Sequence, residues 1–85
     1  MKYTVIWSPQ AESALAEAWL DAANRNAVSA ASSTLERAIG KFPLRVGRPL
    51  ASSVNRIAVI SPLEIAFDII EDDKKVIVQS CWLVG

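Results

Sequence analysis

The chain has 85 residues, of which 52% are hydrophobic, and nine Lys/Arg balance nine Asp/Glu. That length suits one domain with one core, and the neutral charge excludes a bulk-charge nucleic-acid binder. No histidine is present and Cys81 is the only cysteine, so zinc sites, histidine acid–base chemistry and an internal disulfide are excluded. No metal and no cofactor is expected.

Lys2 to Trp7 alternates Tyr3, Val5 and Trp7 against Lys2, Thr4 and Ile6, which predicts a short strand with an apolar face. Ser8-Pro9 then supplies a capping hydroxyl and a proline suited to the first helical position. Ala11, Ala14, Leu15, Ala18, Trp19 and Ala22 recur at helical spacing, with Gln10, Glu12, Glu17 and Asp21 mostly opposite. Ala23-Asn24 is a tight break with Asn24 or Asn26 as the next cap. A second helix follows, with Ala27, Val28, Ala31, Leu35, Ala38, Ile39 and Phe42 as its apolar stripe. Gly40 and Pro43 end it. So short a connection predicts an antiparallel helical hairpin.

Residues 43–53, with Pro43, Gly47, Pro49 and two serines, have loop chemistry. Strands are predicted at Val54 to Ile60, Leu63 to Ile70 and Lys75 to Val84, joined by Ser61-Pro62 and the charged turn Glu71-Asp72-Asp73-Lys74. Ile57, Val59, Ile65, Phe67, Ile69, Val76, Val78 and Ser80 form one alternating set. Ile77, Gln79 and Cys81 form the other, and both are partly apolar, so the face under the helices stays open. The expected plan is β-α-α-β-β-β, an α+β fold whose antiparallel sheet carries the helical hairpin on one face. No run of 18 apolar residues and no leader-type segment is seen, so a cytoplasmic chain with no membrane contact is expected. Cys81 is expected as a buried thiol.

Charge is unevenly spread. Lys41, Arg45, Arg48 and Arg56 fall in one stretch without a carboxylate, while residues 57–85 hold two basic against five acidic side chains. Such a patch attracts phosphate or an acidic protein surface.

The strand YTVIWSP running directly into the helix QAESALAEAWL resembles the start of RelE/ParE-superfamily toxins, the toxin halves of bacterial toxin–antitoxin pairs. Pro43, Leu44 and Gly47 in the loop, an arginine opening the next strand and the closing hairpin follow the same plan, so the resemblance spans nearly the whole chain. It implies one of two activities. RelE-like members cut messenger RNA on the ribosome with basic residues on the sheet and a tyrosine or similar group near the C-terminus; ParE-like members poison DNA gyrase. It also implies a cognate antitoxin that wraps and silences the chain.

Against that pattern Arg56 stands where the family places a strand arginine and is the catalytic candidate. Arg45, Arg48, Arg56 and Trp82 are the candidates for binding phosphate or a target. Guanidinium forks suit phosphate, and an indole can stack on a base but cannot serve as acid or base. The alternative for Arg45, Arg48 and Arg56 is a solvated loop, and for Trp82 a packing role. Asp68 stands where active relatives often carry arginine, and Glu64 adds a second carboxylate; each opposes phosphate if it faces the same surface. Tyr3 is expected in the core or at a sheet edge, and Glu71-Asp72-Asp73 as a solvated tip. The gyrase reading requires no catalytic set, and a third reading is a non-catalytic interaction module. A free sheet edge and an alanine-rich hairpin both suit a partner chain, with Trp19 as a contact or a core residue and a homodimer as a competing use.

Overall fold

The computed structural model describes residues 2–84. Its elements are β1 (Thr4–Trp7), α1 (Pro9–Asp21), α2 (Arg25–Lys41), β2 (Arg48–Ser52), β3 (Asn55–Ile60), β4 (Leu63–Ile70) and β5 (Lys75–Leu83). The helix starts follow the expected chemistry. The Ser8 hydroxyl accepts the Ala11 N–H at 3.1 Å, Pro9 takes the first helical position, and the Asn24 side chain accepts the Ala27 N–H at 3.1 Å. Each bond satisfies one of the amides that a helix start leaves without an intrahelical partner.

The α+β plan with the helical hairpin on one sheet face is as predicted, and three details differ. First, residues 48–52, expected as loop, form β2, so the sheet has five strands in the order β1-β5-β4-β3-β2. Second, the sheet is mixed. β1 lies parallel to β5, with Val5 beside Val76 and Trp7 beside Val78. The other three pairings are antiparallel.

Third, the face under the helices is set by a different phase. Ala58 pairs with Ile65, Arg56 with Phe67 and Ile60 with Leu63, so β3 turns Arg56, Ala58 and Ile60 toward the helices, not Ile57 and Val59. In β5 the register shifts between Ala66 and Phe67, whose partners are Ser80 and Val78. Gln79 is thus an extra residue, a bulge, and beyond it Cys81 replaces Ser80 on the helix side. The core is Leu63, Ile65, Phe67, Ile69, Val76, Val78 and Cys81 from the sheet, against Ala11, Ala18, Val28, Ala31, Leu35 and Ile39 from the helices. Phe42, expected in the α2 stripe, caps that helix and is 55% exposed, while Pro43 is buried in its place.

Candidate functional site

The basic stretch is divided by the fold. Lys41 closes α2, where a cation suits the negative end of the helix dipole. Arg45 lies in the connection to β2, its guanidinium carbon 5.9 Å from the centroid of the exposed Phe42 ring. Arg48 opens β2, is exposed, and pairs with Ile57 on the sheet face away from the helices.

Arg56 points the other way. It is 7% exposed and cross-strand to Phe67 on the helix side. Its Nε donates to the Val46 carbonyl at 3.1 Å, one terminal nitrogen to Gly47 at 3.2 Å and the other to Ser53 at 3.2 Å. Those carbonyls lie on both sides of β2, so one guanidinium clasps the edge strand at its entry and its exit. Gly47 makes the approach possible: its φ is +68°, and a Cβ there would lie 1.9 Å from the Ile57 carbonyl oxygen. A planar fork with several donors meets such a set of acceptors; an ammonium does so poorly.

The open face of the sheet carries a polar lattice. The Asp68 carboxylate accepts from the Asn55 side-chain amide at 2.6 Å and from that of Gln79 at 3.0 Å, so both oxygens are engaged across three strands. Trp82 pairs with Glu64 in the ladder, and its indole N–H donates to the Glu64 carboxylate at 2.8 Å. The structure therefore brings Trp82, Glu64, Asp68 and Arg48 to one face and places Arg56 on the other. Sequence reasoning did not single out Asn55 and Gln79, which lie 13 and 11 residues from Asp68 and meet it only once the strands pair.

The remaining candidates are engaged locally. The Tyr3 hydroxyl donates to Glu71, and Lys74 lies 5.2 Å from the centroid of its ring. The hydrogen bond to the Glu71 carboxylate raises the Tyr3 pKa above 10.0, with further contributions from burial and from the Glu71 charge. Lys74 and Glu71 form an ion pair at 3.8 Å. Cys81 is buried, its thiol 3.8 Å from the Ala11 carbonyl, and burial raises its pKa. Among the described residues no group of His, Cys, Asp and Glu could hold a metal, and no helix is long and apolar enough to cross a membrane.

A second surface lies between the helices. A groove of about 770 Å³ is lined by Trp7, Leu15, Trp19, Leu20 and Val28, with Glu12, Ser29, Ser32, Ser33 and Glu36 among its polar residues. Trp19 is 41% and Leu20 60% exposed, although both lie on a helix otherwise packed on the sheet. The Arg25 guanidinium sits 4.7 Å from the Trp19 ring centroid.

No family model matches the sequence, and no curated protein matches it significantly. Solved structures do match the fold. The toxin–antitoxin complex RelBE2 from Mycobacterium tuberculosis superposes with a TM-score of 0.79 at 19% identity, covering 98% of this chain and 99% of that one. The chromosomal ParDE toxin–antitoxin system of P. aeruginosa gives 0.73 at 12% identity over 99% and 98% of the two chains. An arginine double mutant of the E. coli toxin RelE in the free state gives 0.69 at 14% identity over 98% and 84%. The chain has a RelE/ParE-like toxin fold.

Proposed function

We propose that this chain is the toxin half of a toxin–antitoxin pair and that it acts on its target by contact through the basic loop, without cutting RNA. The likeness to RelBE2 and ParDE, both toxin–antitoxin assemblies, supports the class. The observation that carries the contact reading is the orientation of Arg56 away from a face that holds two carboxylates.

Cleavage by a 2′-hydroxyl demands a group to activate it, cations against the crowded phosphate and an acid for the leaving oxygen. Here Arg56 clasps three main-chain carbonyls on the helix side. Asp68 and Glu64 present negative charge on the open face, which raises the energy of a phosphate placed there. Trp82 has its only donor on Glu64. Arg45 and Arg48 are exposed on the loop and β2, beside Phe42, Leu44 and Leu50, which are exposed as well. Cations interleaved with apolar side chains suit recognition of a folded target.

The antitoxin is assigned to the groove between α1 and α2. An amphipathic helix would place its large apolar residues against Trp19, Leu20 and Leu15, covering side chains that are costly to leave in water. Controlled expression tests the reading. Growth should stop on induction of the folded protein and resume when its cognate antitoxin is co-expressed. Ribosome-bound message should stay intact, and Arg45→Glu with Arg48→Glu should restore growth. A supercoiling assay then separates DNA gyrase from the translation machinery as the target. Message cut within ribosomes by the purified chain would refute contact-only action.

A further inference from the structure

Both helices pack on one side of the sheet, so among the described residues no element covers its open face. The central strand of that face is β4, and it presents two carboxylates. Glu64 stands between Val59 and Trp82, and Asp68 between Asn55 and Ile77. Ala66 lies between them along β4, with only a methyl group to fill the interval. Val59 and Trp82 are exposed, so each end of the Glu64 row is apolar and open to solvent.

Both carboxylates are held by neutral donors. Glu64 accepts the Trp82 indole N–H at 2.8 Å, and Asp68 accepts the side-chain amides of Asn55 at 2.6 Å and Gln79 at 3.0 Å. An ionised carboxylate has about four lone-pair sites, so Glu64 and Asp68 keep sites for further donors. No cation neutralises them, since the ion pair among the described residues joins Lys74 and Glu71. Arg48 and Lys75 share the face but stand at its rim, Arg48 beside Ile57 on the edge strand and Lys75 beside Ile70 where β5 begins. The middle of the face is left negative.

Two features turn this charge into a means of recognition. The carboxylates already sit in one arrangement, so a ligand that meets them spends little on ordering them. Trp82 is fixed by its bond to Glu64, and indole is the side-chain ring that attracts a cation best.

We propose that the open face receives an extended cationic segment of a partner protein, laid along β4 with one basic side chain at Glu64 and Trp82 and a second at Asp68. The spacing selects the ligand. Four residues separate the two carboxylates, about 13 Å along a strand, and an extended partner repeats that distance at every fourth residue, on one side of its chain. Guanidinium groups suit both places, because a planar fork meets a carboxylate and also stacks on an indole. A nucleic-acid strand is disfavoured by the same two charges. A second copy of this chain is disfavoured as well, because it would bring a second set of these carboxylates to the face.

The test is fluorescence anisotropy at low ionic strength with a labelled peptide of valine and threonine, about nine residues long, that carries two arginines four residues apart. One control replaces both arginines by glutamate. Another spaces them three apart, which turns them to opposite sides of an extended chain. An oligouridylate of equal length is the nucleic-acid arm. The four-spaced peptide should bind. Its affinity should fall about tenfold or more with Glu64→Gln plus Asp68→Asn, which remove charge and keep acceptor oxygens for the indole and the amides. Trp82→Leu should weaken it about twofold to fivefold. Arg48→Ala should tighten it, since a like charge leaves the face, and Glu17→Gln on α1 should leave it unchanged. Should the paired carboxylate variant fail to fold in urea titration, Trp82→Leu and Arg48→Ala decide the matter. Absence of binding, equal binding of either arginine or glutamate control, tighter binding of the oligouridylate, or weakening by Arg48→Ala would overturn the proposal. A dimer in sedimentation that excludes the peptide would overturn it too and give the face to a second copy. Neither growth nor an antitoxin enters the assay, so the toxin reading is tested apart from it.

Discussion

Replacing Arg56 by alanine is the sharpest test of the geometry, because an arginine that clasps carbonyls and one that faces a phosphate predict different outcomes. Arg56 is 7% exposed and donates to Val46, Gly47 and Ser53 at 3.1, 3.2 and 3.2 Å. Hydrogen bonds from a charged donor contribute about 1.5–3 kcal/mol each, and a buried acceptor left without a partner costs about 1–3 kcal/mol. Gly47 and Ser53 are exposed, so water takes over part of their bonding, and about 1 kcal/mol per acceptor applies, a sum of about 3 kcal/mol. A chain of this size has a total stability of only about 5–10 kcal/mol. With a urea m-value of about 1 kcal/mol/M, the unfolding midpoint should fall by about 3 M. Fluorescence of the three tryptophans follows the transition. Arg56→Lys should recover part of the loss, since an ammonium can serve one or two of the three acceptors. A midpoint within about 1 M of the parent for Arg56→Ala would refute the clasp and return Arg56 to the list of target-facing residues. The same numbers bear on any growth assay: relief of arrest by Arg56→Ala is expected through unfolding, so Arg45 and Arg48 are the informative positions.

Gly47→Ala should destabilise by more than the roughly 1 kcal/mol of a left-handed alanine, because the new Cβ meets the Ile57 carbonyl at 1.9 Å; urea titration checks this. Tyr3 is the only tyrosine, so its ionisation can be followed by ultraviolet absorbance, and its midpoint should lie above 10.0 in the folded chain. A raised pKa means that this group's stabilising contribution is complete below about 10, the ordinary tyrosine value, and is lost as pH climbs through the higher folded value. Glu71→Gln should bring the midpoint down, and an unchanged value would contradict the Tyr3–Glu71 bond. The Cys81 thiol, buried and raised in pKa, should react with a disulfide reagent at pH 8 far more slowly in the folded chain than in urea.

Both helix starts were legible because Ser8-Pro9 and Asn24 act locally, and a cap works wherever the helix later packs. The three-strand meander was legible for the same reason, through its short polar turns. β2 was not. All five of its residues are exposed, so no alternation of apolar and polar side chains marks it, and Pro49 argues against a ladder unless the strand lies at an edge. The face under the helices was left open, and Ile57 and Val59 were grouped with Ile65 and Phe67, whereas Ala58 and Arg56 are their cross-strand partners. The structure favours the small alanine under the helices and pairs it with Ile65. Cys81 was assigned to the wrong set because period two was carried through Gln79, where the bulge adds a residue. At the site, the positions of Arg45 and Arg48 were visible as composition. The direction of Arg56 was not, since a strand arginine reads alike on either face until its cross-strand partner is known.

The parallel pairing of β1 with β5 also orders events during synthesis. β1 emerges first among the described strands, yet its one neighbour among them in the sheet is the last to be made. Until residues 75–83 leave the ribosome, Val5 and Trp7 have no Val76 and Val78 to rest beside, and the helical hairpin has only part of its floor. The sheet therefore closes late, through its most distant contact in sequence, which favours slow folding. Until then the nascent chain carries exposed apolar helices and an unseated first strand. A partner that binds it during that interval meets an open form, and one that arrives afterward meets the finished edge.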